Sequence, residues 1–168
     1  MIQLWVNLPA AKKMTPPNYQ ALEASDIPVV ALGGQAGQVA VIAGDFAGTT
    51  GAASTHSPVD LWRVTLGPDG ELRFARPPHW TVAALVAEGS IAVHGQHEVP
   101  VDHFAVFARA GEEVVLKAGA AGAQVLVLAG EPLRDPIAAH GPFVMNTREE
   151  LVEAFVDFQA GKFGVLAD

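Results

Sequence analysis

Cysteine is absent from the 168 residues, and its absence removes three kinds of site from consideration. The chain has no means of forming a disulfide, a thiolate metal site or a cysteine nucleophile.

Long apolar runs are lacking too, because stretches such as 125–129 fall far short of the roughly 20 residues that a membrane-spanning helix needs. The start of the chain lacks the basic and then apolar pattern of a signal peptide. We therefore expect a soluble, cytoplasmic protein with no membrane partner.

Basic residues are scarce, since 10 Lys and Arg stand against 18 Asp and Glu and give a net charge of −8. A surface that binds nucleic acid needs clustered basic residues to displace phosphate counterions, so direct nucleic-acid binding is not expected.

Half of the residues are hydrophobic, and the length suits one domain with a substantial core. The mean hydropathy of +0.28 is high for so acidic a chain. Either an apolar face that another protein covers or an Ala- and Val-rich core would explain it.

Short apolar segments occupy the chain from residue 28 to residue 129, and turn residues separate them about every eight to twelve positions. This spacing is typical of a sandwich or barrel. The predicted strands cover 28–32, 38–43, 59–66, 71–75, 81–87, 90–94, 97–100, 103–108, 112–117 and 123–129. Trp62, Val64 and Leu66 alternate with polar residues, so one face of their strand should be buried. The Gly- and Thr-rich segment 44–57 is predicted to be a long loop.

One helix is predicted near the end of the chain, over residues 147–160. Thr147 and Glu150 have the spacing of a capping box, in which each side chain accepts a hydrogen bond from a free backbone N–H. Gly161 supplies a residue that can turn left-handed where the helix ends. Apolar residues recur at helical spacing between these caps, so we expect the helix to pack on the barrel. The side chains expected to make that contact are Val152, Phe155 and Phe158.

Two parts of the chain resemble the pirin family of the cupin superfamily. Residues 130–133 read Gly-Glu-Pro-Leu and residues 141–147 read Gly-Pro-Phe-Val-Met-Asn-Thr, as pirin chains do near their ends. Residues 3–9 and 13–20 resemble the segment that follows the first pirin domain. The resemblance implies an all-β cupin or jelly-roll barrel (a double-stranded β-helix) with one C-terminal helix.

Pirins are typically two-barrel proteins, and this resemblance covers only their second barrel. It implies that residues 1–27 are an N-terminal strand and an interdomain-type linker, and that residues 28–168 form a barrel like the C-terminal one of pirin. Whether the chain is a fragment or a natural single-barrel protein stays open at this point.

The resemblance also bears on metal binding, because cupins hold a divalent metal with His and Glu side chains. The first pirin domain carries these ligands in a His-Pro-His-Arg-Gly motif and a His-Ala-Glu motif. By that count the ligand positions fall here on Ala75 and Pro77, and on Leu116 and Ala118. None of these side chains coordinates a metal. No cofactor is therefore predicted, and the purified chain is expected to hold no tightly bound iron.

The remaining candidate site residues are histidines and aromatic residues. His94 and His97 flank the Gly95-Gln96 turn and could hold zinc with a third ligand such as Glu98 or His103; a solvated hairpin end is the alternative. The possible ligand pocket of the barrel consists of Trp62, His79, Trp80 and Phe104. Catalytic residues cannot be named, since the sequence contains neither a Ser-His-Asp pattern with an elbow turn nor a nucleotide-binding glycine motif.

Three functions are compatible with these observations. The first is a non-enzymatic structural, regulatory or protein-interaction module that forms a homodimer or binds a partner protein. The second, implied by the resemblance, is quercetin 2,3-dioxygenase chemistry at an iron of the first pirin domain. The third is the binding of a small molecule inside the barrel. We favour the first, because both metal-ligand motifs are replaced.

Overall fold

The computed structural model describes residues 2–111 and 113–164, and the contacts divide the chain into two compact units. Unit 1 combines the two ends of the chain, up to Pro17 and from Leu133, and unit 2 is Asn18–Pro132. No helix in the described part is long and apolar enough to cross a membrane.

Unit 2 contains ten strands: β1 (Val29–Leu32), β2 (Gly37–Ala43), β3 (Asp45–Phe46), β4 (Thr49–Thr50), β5 (Val59–Leu66), β6 (Glu71–Ala75), β7 (Thr81–Val93), β8 (His97–Pro100), β9 (Phe104–Val106) and β10 (Glu113–Gly130).

An antiparallel sheet of eight strands organises unit 2, in the order β1-β2-β5-β10-β7-β8 with β6 on β10 and β9 on β7. The predicted alternation along β5 is confirmed, because Trp62, Val64 and Leu66 are at most 2% exposed. Inward-facing residues of the other strands join them in a single apolar core, which includes Val39, Leu72, Val86, Ile91, Leu116 and Val127. Unit 2 therefore has the jelly-roll architecture that the sequence predicts.

Two predicted strand breaks are wrong. The predicted strands 81–87 and 90–94 are joined in one strand, β7, which ends at Val93. The predicted strands 112–117 and 123–129 are likewise joined in β10, which runs from Glu113 to Gly130. Register shifts interrupt the β7–β10 ladder between Ala118 and Ala123 and again between Gln124 and Val125. The glycines that indicate turns in the sequence thus mark β-bulges, at which a strand bends without ending.

The close approach of β7 and β10 at this bend explains two of the glycines. Gly89 and Gly122 have φ angles of +72° and +78°, in the left-handed region that glycine tolerates best. A Cβ atom on Gly89 would lie 2.2 Å from the carbonyl oxygen of Gly122, and one on Gly122 would lie 2.6 Å from that of Leu66. Both positions therefore require a residue without a side chain.

The predicted loop 44–57 is only partly irregular, because it contains the short hairpin formed by β3 and β4. The carboxylate of Asp45 accepts hydrogen bonds from the backbone N–H of Gly48 and the hydroxyl of Thr50, which closes this hairpin. Its strands are two residues each, too short for the alternation of side chains to reveal them in the sequence.

Unit 1 contains a short 3₁₀ helix (Ala10–Lys12), the strands β11 (Ala138–His140) and β12 (Phe143–Met145), and the helix α1 (Arg148–Gln159). The predicted N-terminal strand does not form within residues 2–27. The capping box is present, since the hydroxyl of Thr147 accepts from the backbone N–H of Glu150 and the Glu150 carboxylate accepts from that of Thr147.

The expected packing of α1 is partly wrong. Phe155 is half-buried and its ring lies 4.9 Å from that of Phe143 on β12, measured between centroids, in an edge-to-face arrangement. Val152 and Phe158 are instead 64% and 61% exposed. The helix therefore contacts the β11–β12 hairpin of its own unit through a narrow face. Helical spacing alone does not reveal how wide the buried face is.

We predict that Gly89→Ala destabilises the protein far more than Gly95→Ala. Both glycines have left-handed backbones, but a Cβ on Gly95 meets nothing within 4 Å. Gly95→Ala should lower the free energy of unfolding by about 1–2 kcal/mol, the cost of that backbone conformation. Gly89→Ala should cost about 2 kcal/mol more, because its methyl group overlaps a backbone carbonyl. Equal losses in denaturant titrations would contradict the role of the bend.

Candidate functional site

A buried ion pair lies at one end of the core of unit 2. Asp60 on β5 is 3% exposed, and its Oδ2 accepts a hydrogen bond from Arg76 Nε at 2.5 Å. Its Oδ1 accepts from the backbone N–H of Asp45 at 3.1 Å. The Arg76 guanidinium also donates to the carbonyl oxygens of Ala75 and Asp45. These contacts hold the guanidinium in one position.

Trp62 lies directly beneath this guanidinium, which is 4.5 Å from the centroid of the indole ring. The rings of Phe46 and Phe74 pack edge-on against Trp62 at centroid distances of 5.0 and 5.2 Å. Within the described residues, the buried Nε1 of Trp62 has no hydrogen-bond partner. Trp62 is fully buried, so it forms the core under Arg76 and does not line an open pocket.

The four residues of the predicted pocket do not come together. Trp80 lines a cavity of about 440 Å³ in unit 2, whereas Trp62 belongs to the core. The imidazole of His79 is half exposed, with Nε2 3.7 Å from an oxygen of Glu131. Phe104 is 57% exposed on β9. Only Trp80 therefore lies where a ligand inside this cavity would touch it.

Two of the three histidines proposed for zinc line the same cavity. These are His94, whose φ angle is +49°, and His97 at the start of β8, paired with Val93 across the hairpin. The Nδ1 of His103 lies 2.9 Å from the carbonyl oxygen of Val101, to which it donates when that nitrogen carries the proton. In residues 2–111 and 113–164 no three His, Asp or Glu side chains are placed to share a metal ion.

The positions that the pirin resemblance assigns to metal ligands do not fit a metal. Leu116 and Ala118 lie on β10 with 0% and 3% exposure, and they fill the core with hydrocarbon. Ala75 is the last residue of β6 and Pro77 follows that strand, and both are exposed. None of the four side chains carries a donor atom, and Leu116 and Ala118 belong to the cluster of buried hydrophobic residues.

The cavity of unit 2 has a lining that sequence reasoning did not find. Most of its residues are apolar and come from β7, β8, β9 and the start of β10: Val82, Val93, Val99, Ala105, Val106, Phe107, Ala108 and Val114. The signal that could have found it is the run of small residues at 105, 108, 110 and 111 among strands that are otherwise rich in valine.

Unit 1 has an apolar groove of its own, which we call the unit 1 groove and which measures about 460 Å³. The N-terminal segment lines one side, with Trp5 and Met14 71% and 76% exposed. The β11–β12 hairpin, α1 and Phe163 line the other side. Three carboxylates of α1, from Glu150, Glu153 and Asp157, are also part of its wall.

The pKa shifts in the described part belong to two ion pairs, which involve Arg73 and Lys162. The carboxylate of Glu71, 2.6 Å from Arg73 Nε, raises the pKa of that guanidinium through a hydrogen bond and through its charge. Asp157 raises the pKa of Lys162 in the same way, at 2.5 Å. Both cations are more than half exposed, and ion pairs of exposed side chains contribute little to stability, so these shifts do not indicate a catalytic site.

The eight-stranded sheet with its apolar interior defines unit 2 as a barrel of the cupin class. Comparison with known proteins gives the family. The sequence pattern described as the pirin C-terminal cupin domain matches residues 61–164. The chain therefore belongs to the pirin family.

Individual relatives agree with this assignment. A Pseudomonas aeruginosa protein, whose name provisionally assigns it quercetin 2,3-dioxygenase activity, is 44% identical over 163 residues, which are 97% of this chain and 56% of that protein. Human pirin is 34% identical over 166 residues, 97% of this chain and 57% of pirin. A crystal structure of quercetin 2,3-dioxygenase from Acinetobacter baumannii has a TM-score of 0.90 and 42% identity, and covers 97% of this chain and 56% of that one. The chain thus spans little more than half the length of these relatives.

We predict that Arg76→Met destabilises the protein much more than Arg73→Met. Loss of Arg76 leaves the buried Asp60 carboxylate without its cation and uncovers Trp62, which should cost about 3 kcal/mol. Arg73 is more than half exposed, so its loss should leave the free energy of unfolding nearly unchanged. Urea titration of both variants measures the difference. Similar losses in the free energy of unfolding would show that the buried Asp60–Arg76 pair stabilises the protein no more than an exposed pair does.

Proposed function

We propose that this chain is a metal-free cupin module of the pirin type that acts through protein contact and not through catalysis. The observation that carries the proposal is the filling of the barrel at the family's ligand positions. Leu116 and Ala118 are core residues, and Ala75 and Pro77 replace the histidine pair. A barrel of this composition can support, position or regulate a partner, and among its described residues no three His, Asp or Glu side chains are placed to share a metal ion.

A second copy of the chain is the partner that we propose. Most of the large apolar side chains that are exposed in the described part belong to unit 1: Ile2, Leu4, Trp5, Val6, Met14, Ile137, Val152, Val156, Phe158 and Phe163. Large contiguous apolar patches are rare on monomers, and a two-fold contact covers the same patch on both copies at once. The net charge of −8 opposes association, but salt screens charges that are more than about 8 Å apart.

Quercetin 2,3-dioxygenase activity is the second candidate. The Acinetobacter baumannii structure is named for this activity, and the Pseudomonas aeruginosa relative carries it as a provisional name. Those proteins are almost twice as long as the matched segment. In this candidate, the metal chemistry would have to come from side chains other than the four positions discussed above.

Self-association is tested by size exclusion coupled to light scattering from micromolar to millimolar concentration. The mass should rise from 17.5 kDa towards twice that value as the concentration increases. Trp5→Ser combined with Phe163→Ser should shift this rise to higher concentration, because both side chains line the unit 1 groove. Tyr19→Ser is the control, since Tyr19 is 89% exposed and lies in unit 2. A mass of 17.5 kDa throughout would refute a role in self-association.

A further inference from the structure

The cavity of unit 2 has an apolar floor and aromatic walls. Val82, Val93, Val99 and Val114 line it, and each is less than a tenth exposed. Trp80 and Phe107 are partly buried against the same core and add two rings to the lining. Contact with these side chains favours a ligand whose body is hydrocarbon, because burying apolar surface is worth roughly 25 cal/mol per Å².

Small residues keep this cavity open. Ala105, Ala108, Ala110 and Gly111 line it where longer side chains would fill the space between β9 and the start of β10. The resulting volume of about 440 Å³ lies within the roughly 300–1,000 Å³ that is usual for sites of small molecules. The space therefore suits a ligand with one or two rings.

Arg76 supplies the first polar group of the lining. Three of its hydrogen bonds go to Asp60, Ala75 and Asp45, and these fix the guanidinium above Trp62. A guanidinium has five N–H groups, so N–H groups remain for a ligand. Because the side chain is already held in place, a ligand that binds it does not have to order it.

The other polar side chains of the lining are two histidines and one glutamate. His94 and His97 present imidazoles that can donate hydrogen bonds, and both lie at the β7–β8 hairpin. Glu113 accepts a hydrogen bond from Arg73 Nη1 at 3.4 Å, which occupies part of its carboxylate. Its pairing with Arg73 and its 58% exposure weaken its repulsion of an anion, and the N–H groups of Arg76 and the two imidazoles can donate to an acceptor such as a carboxylate or sulfonate.

We propose that this cavity binds a small aromatic acid, a ligand with an apolar ring body and one anionic head. The body lies against Trp80, Phe107 and the valines, and the head accepts hydrogen bonds from Arg76, His94 and His97. This site differs from the metal-centred site that the family resemblance places in another domain. It is also independent of the self-association proposed for unit 1, since no residue lines both the cavity and the unit 1 groove.

Two fluorescent probes test the proposal on the full chain: 8-anilinonaphthalene-1-sulfonate, which has aromatic rings and an anionic head, and N-phenyl-1-naphthylamine, which has similar rings without the head. Both should bind the wild type saturably, the sulfonate at one site per chain. Ala105→Phe fills the cavity and should weaken both probes at least tenfold. Ala105→Leu serves the same purpose if the Phe variant does not fold, as judged by cooperative thermal melting.

A second pair of variants separates head recognition from general apolar binding. His94→Gly with His97→Val removes both side-chain donors and should weaken the sulfonate about fivefold while leaving the neutral amine unchanged. Gly is chosen at position 94 because it tolerates the left-handed backbone of His94. Met14→Glu, in the unit 1 groove, should change neither probe. Binding that survives Ala105→Phe, that is lost in Met14→Glu, or that falls equally for both probes in the histidine variant would overturn the proposal.

Discussion

The bend that β7 and β10 share is the constraint on which the structure of unit 2 depends. Residues 123–130 of β10 pair with β5, residues 113–117 pair with β6, and both parts pair with β7. One strand can serve both sets of partners only if it turns between them. The approach of Gly89 to Gly122 allows that turn, because any side chain there would overlap a carbonyl oxygen. Because of this bend, β10 pairs with the strand of Trp62 at Val127 and also lines the cavity at Val114.

A single ion pair, between Asp60 and Arg76, accounts for the buried charge in the described part of unit 2. Asp60 is the buried charged residue of the described part, and Arg76 neutralises it. The same guanidinium covers Trp62 on one side and lines the cavity on another. The pair therefore connects the stability of the core to the proposed ligand site. Leu116 and Ala118 extend the apolar interior through two positions to which the family resemblance assigns metal ligands.

Local signals predicted the fold well but the sites poorly. The alternation in β5 and the capping box at Thr147 depend on neighbours in sequence, and both are present. The bends at Gly89 and Gly122 were predicted as chain breaks, because a bulge and a turn use the same residue and only the partner strand distinguishes them. The sequence predicts both a buried face and a pocket position for Trp62, and the structure shows only the burial. Local patterns do not indicate that Arg76 and Phe107 line the cavity, because the other lining residues come from strands that are distant in the chain.

We expect the interior of this barrel to bind no metal at Leu116 and Ala118, the positions that correspond to metal ligands of the first pirin domain. Addition of Mn²⁺ to the ¹⁵N-labelled protein tests it residue by residue, because the paramagnetic ion broadens the amide signals closest to it. With one equivalent, the signals of Leu116, Lys117 and Ala118 should broaden no more than those of β2, which lies in the same core. Selective loss of those three signals would place a metal inside the barrel and contradict the account.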